Sequence, residues 1–146
     1  GGIATPLIAH WPQGIAGRGE LRRTPGHVVD LVPTVLELAG VAFSEGAGTQ
    51  DKPPLHGRSL VPALTSDRTI ERDFLWWSHE GNRAVRVGDW KLVAAGADGP
   101  WELYDLSVDR TETNDLAGKA PGKVEELAAL WTTKRDELIA LATRED

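Results

Sequence analysis

The chain has 146 residues, enough for one ordinary domain or two small subdomains with a real core, and 40% of them are hydrophobic, as in a globular protein. It has no cysteine, which excludes disulfides, thiolate metal sites and a cysteine nucleophile within this chain. A net charge of -6 with scattered basic residues excludes general nucleic-acid binding, and no apolar run approaches the roughly 18 residues of a membrane span, so neither nucleic acid nor membrane is expected as a partner.

In chain order, Ile3 to Trp11 (IATPLIAHW) is nearly continuously apolar and reads as a strand buried on both faces, with Pro6 pushing it towards an edge or strand-start position. The chain contains no methionine, opens Gly1-Gly2-Ile3 directly into this run, and lacks a basic region followed by an apolar core. It therefore reads as a piece of a longer protein, expected to be soluble, with a cytoplasmic or a periplasmic or secreted compartment left open. From Asp30 to Gly40, DLVPTVLELAG has helix punctuation at both ends: Asp30 as cap, Pro33 in the first turn and Gly40 at the left-handed C-terminal position. Its broad apolar face, Leu31, Val32, Val35, Leu36, Leu38 and Ala39, predicts a largely buried helix. Ser44 to Arg58 is Gly-, Pro- and polar-rich and reads as a surface loop, followed by a short helix with Ser59 as cap and Pro62 in its first turn, Leu60, Val61 and Leu64 facing inward.

The composition changes near Ser66 to Arg72. FLWWS (Phe74 to Ser78) reads as a strand, and three more short strands follow: Ala84, Val85 and Val87, then Trp90, Leu92 and Val93, then Trp101, Leu103 and Leu106, each run closed by Gly or Asp. A final helix spans about Pro121 to Ala142, with Val124, Leu127, Trp131, Leu138 and Leu141 at helical spacing. The simplest packing is a four-stranded antiparallel sheet with one helix across it. The fold class is thus an α/β portion, residues 1–68, followed by a small α+β portion, residues 69–146.

Candidate chemistry is sparse. His10, His27, His56 and His79 lie far apart in sequence, without the paired spacing of a zinc site, so a structural or surface role is expected for each. His79-Glu80-Gly81-Asn82-Arg83 differs because it gathers four polar groups in a turn, where His79, Asn82 and Arg83 could bind an anion or sugar as a substrate contact. The same residues are also ordinary hairpin chemistry, since Gly and Asn tolerate positive φ. Six tryptophans could form a carbohydrate platform, but at their positions core packing explains them. Asp105, Asp109, Glu112 and Asp115 suggest a calcium loop, yet their spacing departs from the EF-hand pattern and lacks its glycine, so a solvated acidic loop is expected. No G-x-S-x-G, P-loop or G-x-G-x-x-G occurs.

Taken in order, Gly1 to Pro12 (GGI-x-x-P-L-I-x-x-W-P), VVDLVPTVLELAG, HGRSL-x-P-x-L, NRAVRVGDWKLV, WELYDL and NDLA resemble the last third of a sulfatase, of the alkaline-phosphatase-like superfamily. The resemblance implies a large α/β domain closed by residues 1–68, then a small subdomain of four antiparallel strands and a helix. It implies sulfate-ester hydrolysis by a formylglycine beside a calcium or magnesium ion, with an aryl or sugar sulfate as substrate. The C-x-P-x-R or S-x-P-x-R nucleophile motif is absent, and the family's metal-ligand motifs precede Gly1. No catalytic residue, metal ligand or cofactor is therefore expected in this chain, and the chain alone is expected to be inactive. Exposed apolar surface would favour self-association or association with the missing portion. A phosphodiesterase or phosphonate monoester hydrolase of the same superfamily, and a non-catalytic glycan- or anion-binding module, are the alternatives.

Overall fold

The computed structural model describes residues 3–41 and 56–143. The loop expected from Ser44 to Arg58 lies, up to residue 55, outside them. The chain divides into two compact units: Gly1–Thr5 with Arg72–Glu145, and Pro6–Glu71 with Asp146.

The first unit is built on β1 (Leu75–His79), β2 (Asn82–Val87), β3 (Trp90–Ala94) and β4 (Glu102–Asp105), paired in that order. Every pair is antiparallel, so the expected meander forms. The turns Glu80–Gly81 and Gly88–Asp89 are two residues long, which fixes the register of each hairpin. That register alternates the side chains strictly. Trp76, Val85, Leu92 and Leu103 stand opposite one another along one face of the sheet.

Helix α3 (Pro121–Ala142) lies against β2 and β3 on that face, starting where Pro121 suits a first-turn position. Of its expected apolar stripe, Leu127 and Trp131 are buried and join Val85, Leu92 and Leu103 in one core. Leu138, further along the helix, is exposed. Trp131 makes the most specific contacts in this core. Its ring stacks on Trp76 at 5.6 Å and meets the edge of Trp101 at 5.9 Å. Its Nε1 donates to the Trp77 carbonyl at 3.0 Å, while the Trp131 carbonyl accepts from Trp76 Nε1 at 3.1 Å. The pair of reciprocal bonds satisfies both indole N–H groups, which makes burying two tryptophans affordable in polar terms.

The second unit holds α1 (Leu31–Leu38) and α2 (Val61–Ser66), and among its described residues there is no strand. This corrects the expectation for Ile3 to Trp11, whose described residues are irregular, with Ile8 91% exposed. A strand needs a neighbour for its backbone groups, and no described residue of this chain offers one there. The capping of α1 also differs from expectation. Val28–Asp30 forms a 3-10 turn leading into the helix, and the Asp30 carboxylate accepts from the His27 backbone N–H while His27 Nδ1 accepts from Val29 N. Asp30 thus closes a capping box one turn earlier and is fully buried. Gly40 follows the helix at φ 70, the left-handed stop that the sequence implies.

The buried side of α1 carries Pro33 and Thr34, with the buried Asp30 just ahead of it. Asp30 Oδ1 accepts from Arg58 N at 2.8 Å, and Thr34 Oγ1 donates to the Asp30 carbonyl and accepts from Leu60 N at 2.8 Å. These bonds clamp the segment Arg58 to Leu60 onto the start of α1. Gly57 permits the approach, since a Cβ there would sit 1.9 Å from the Val29 carbonyl oxygen. The helix expected to be largely buried is instead exposed along Leu31, Val32, Val35 and Leu38, because no described part of this chain covers that face. In α2 the cap is shifted: Leu60 occupies the N-cap position and Ser59 Oγ accepts from Val61 N.

Truncating Trp131 removes the stack, the edge contact and one of the two indole bonds. Trp131→Ala is expected to destabilise the sheet unit by about 3 to 5 kcal/mol, read by urea unfolding followed through tryptophan fluorescence. A loss below about 1 kcal/mol would contradict the central place of this residue.

Candidate functional site

The β1–β2 hairpin places the polar cluster. Its turn falls on Glu80 (φ 49) and Gly81 (φ 80), one residue earlier than the Gly-Asn pair that hairpin chemistry suggested. Both turn residues are left-handed, as a tight two-residue turn of this twist demands, and Glu80 accepts a conformation that Gly or Asn adopts more readily. Gly81 is needed twice, for its φ and because a Cβ would stand 3.0 Å from Ala97 N.

His79 and Asn82 face each other across the hairpin and so share one face of the sheet. The His79 side chain is 83% exposed, with Nε2 3.8 Å from a Glu80 carboxylate oxygen. Asn82 is exposed too, but its Oδ1 accepts from Gly96 N at 3.0 Å, which ties the hairpin end to the turn between β3 and β4. Arg83 pairs with Ser78 and Ala94 and projects to the opposite face, the one that carries α3. There Nη2 donates to the Gly99 carbonyl at 2.7 Å and the guanidinium lies over the Trp101 ring at 4.5 Å. The hairpin therefore brings His79 and Asn82 together, and directs Arg83 to the other side, into packing. Nothing in the sequence pattern beyond strand alternation signals that split.

Trp76, Trp90, Trp101 and Trp131 are turned inward. Trp76, Trp90 and Trp101 pack against the core formed with Val85, Leu92, Leu103, Leu127 and Trp131, so they offer no shared open platform for a sugar.

The acidic exit from β4 is an organised loop. The Asp105 carboxylate accepts from Ser107 N and Oγ, and Asp109 accepts from Thr113 N and Asn114 N together with the Thr111 and Thr113 hydroxyls. Asp115 Oδ1 accepts from Leu103 N at 2.9 Å and Ala117 N at 2.8 Å, and Leu116 N donates back to the Leu103 carbonyl, so the loop returns along β4. Glu112 pairs with Lys91, a lysine only 3% exposed. Glu112 reaches it from a left-handed backbone, φ 59. That buried pair is a feature that sequence reading missed, since Lys91 in GDWKLV reads as an outward strand position. Beside it, burial, then the hydrogen bond to Glu102, pushes the Tyr104 phenol above its ordinary range. Each carboxylate of the proposed calcium pattern thus has a protein partner, and among the described residues no group of three or more His, Asp or Glu side chains is placed to hold a metal ion.

The antiparallel sheet with its crossing helix defines the architecture, and comparison with known proteins gives the relationship. No family model matches the chain. An uncharacterised sulfatase of Schizosaccharomyces pombe is 30% identical over 153 residues, covering 100% of this chain and 27% of that protein. The choline-sulfatase of Rhizobium meliloti is 33% identical over 135 residues, 88% of this chain and 25% of the enzyme. Among solved structures, the protein Ps i-CgsB matches with a TM-score of 0.65 at 22% identity, over 85% of this chain and 27% of its own, a likeness of fold. A protein solved in complex with its substrate D-glucosamine-2-N,6-O-disulfate matches with a TM-score of 0.53 at 26% identity, over 80% of this chain and 25% of its own. The chain is homologous to members of the sulfatase family, in the alkaline-phosphatase-like superfamily. It spans about a quarter of the length of these relatives.

The acidic loop carries a pH signature. Hydrogen bonds from Asn114 N and Thr113 N hold Asp109, and bonds from Leu103 N and Ala117 N hold Asp115, below the ordinary carboxylate range. A depressed carboxylate pKa stabilises the fold above the ordinary value, and that stabilisation is lost as pH falls through the folded-state value. The stability of the sheet unit is therefore expected to fall as pH drops through and below the ordinary carboxylate range, and Asp115→Asn should flatten that slope in urea unfolding across the acid range. An unchanged slope would show that Asp115 carries none of it.

Proposed function

We propose that the chain is the C-terminal part of a sulfatase, with residues 1–68 closing the large α/β domain and residues 69–146 forming the small terminal subdomain, and that the intact protein hydrolyses sulfate esters. The observation that carries the reading is sequence similarity to a sulfatase over 100% of this chain at 30% identity. The substrate class is an aryl or sugar sulfate; the relative solved with D-glucosamine-2-N,6-O-disulfate supports the sugar.

Calcium or magnesium and a formylglycine nucleophile belong, in this reading, to polypeptide outside this sequence. The described residues do not fit them: the chain has no cysteine, and its loop carboxylates are engaged by backbone amides, hydroxyls and Lys91. No chemical step is assigned here. What this chain contributes is a contact. His79, exposed on the hairpin end beside Asn82, meets the substrate through its imidazole, and Arg83 supports that contact from the opposite face of the sheet by fixing Gly99.

The test is made on the intact protein. It should release sulfate from 4-nitrophenyl sulfate or a sulfated sugar in preference to hydrolysing a phosphonate monoester. Preference for the phosphonate monoester would replace the sulfatase reading with its superfamily alternative. His79→Ala should raise KM for the better substrate severalfold, on the order of 1 kcal/mol, with kcat less affected. Unchanged kinetics on several substrates would remove His79 from the site.

A further inference from the structure

The end of the β1–β2 hairpin decides between the two ligands that its polar residues suggest, an anion or a sugar. Arg83 is the lone permanent cation of the stretch His79 to Arg83, and it is turned to the opposite face, held by the Gly99 carbonyl and the Trp101 ring. The exposed end keeps the His79 imidazole, the Asn82 amide and the Glu80 carboxylate, whose side chain is 81% exposed. It therefore offers an incoming anion a full negative charge and no guanidinium.

The Asn82 amide has a settled orientation. Gly96 N is a donor, so the atom facing it at 3.0 Å is Oδ1, and the Nδ2 group is directed away, its hydrogens unclaimed among the described residues. The Glu80 carboxylate has no hydrogen bond among them either, only the 3.8 Å approach of His79 Nε2. An anchored donor and a free acceptor thus stand on either side of Gly81. That turn is fixed against the next one, since a Cβ on Gly81 would lie 3.0 Å from Ala97 N. Glu80 itself holds φ 49, a conformation that Gly or Asn adopts at lower cost, so backbone geometry gives no reason for a carboxylate here.

We propose that Glu80 and Asn82 are specificity-determining residues, which read neutral hydroxyls of a sugar sulfate and reject a sugar carrying a second anionic group. The inference rests on reading the intact protein as a sulfatase with this hairpin end at its substrate. A hydroxyl both donates and accepts, so neighbouring ring hydroxyls satisfy the Asn82 amide and the Glu80 carboxylate together. A second sulfate or carboxylate meets repulsion at Glu80. An aryl sulfate without hydroxyls gains nothing from either residue.

The test compares the intact wild-type protein with three variants. Glu80→Gln keeps the shape and removes the charge; Asn82→Asp keeps an acceptor for Gly96 N and loses the donor; Glu125→Gln, at an exposed position of α3, is the control. Loss of the 6-O-sulfate is followed by mass spectrometry on N-acetylglucosamine 6-sulfate and on D-glucosamine-2-N,6-O-disulfate, with 4-nitrophenyl sulfate as the third substrate. The wild type should prefer the monosulfated sugar, and Glu80→Gln should narrow that preference in kcat/KM at least about fivefold. Asn82→Asp should lower kcat/KM for the monosulfated sugar at least about fivefold relative to 4-nitrophenyl sulfate, and Glu125→Gln should move neither ratio. An unchanged preference in Glu80→Gln, a wild type that prefers the disulfate, or hydrolysis of 4-nitrophenyl sulfate alone would each overturn the proposal and leave the sulfatase reading standing. No turnover of any of the three would sink both. If Glu80→Gln fails to fold, Glu80→Asn, which suits the left-handed position, gives the same readout.

Discussion

The sheet unit depends on Trp131. The Trp131 ring, carried on α3, touches Trp76 by stacking and Trp101 by its edge, its indole N–H donates to the Trp77 carbonyl of β1, and the Trp131 backbone carbonyl accepts from the Trp76 indole. Apolar burial alone would let the helix slide or rotate over Val85, Leu92 and Leu103, since the hydrophobic effect is non-directional. The two indole bonds are directional, and they fix both the height and the rotation of the helix on the sheet. Arg83 and Arg135 lie over the same ring at 5.9 and 5.6 Å, so charge from β2 and from the helix itself closes the cluster. Because Arg83 also holds Gly99, the order of the hairpin end is coupled to the packing of the core.

The helical unit is organised on the opposite plan. Its specific contacts are polar and inward, centred on Asp30 and Thr34 beside the buried Pro33, Leu60 and Ala63, while Leu31, Val32, Val35 and Leu38 of α1 look outward. Such a unit gains little from burial within this chain. The two units therefore differ: the sheet unit encloses its own core, and the described residues of the helical unit leave Leu31, Val32, Val35 and Leu38 uncovered.

Much of this was legible in sequence, for identifiable reasons. The strands of the meander and the full span of α3 follow from period-two and helical spacing, which the sheet unit obeys because all its partners lie nearby in the chain. Ile3 to Trp11 and the buried helix were misread because an apolar run reports a demand for burial without saying whether the cover lies in the same sequence. Asp30 was expected to cap α1 directly. The 3-10 turn that intervenes is set by the reciprocal bonds of His27 and Asp30, and H-V-V-D carries that capping-box spacing with an uncommon residue at its first position. The Lys91–Glu112 pair was illegible because it depends on the loop after β4 folding back over the sheet, anchored by Asp115. At the candidate site, the pairing of His79 with Asn82 and the diversion of Arg83 follow from register, which depends on where a two-residue turn falls.

Under the proposed function, fold and chemistry are separate: this chain is the terminal module with a substrate contact at His79, and nucleophile and metal belong to polypeptide outside this sequence. The most direct measurement compares the isolated 146-residue chain with the intact protein on 4-nitrophenyl sulfate in the presence of calcium. The account predicts repeated turnover by the intact protein and none above background by the isolated chain. Turnover by the isolated chain would contradict it.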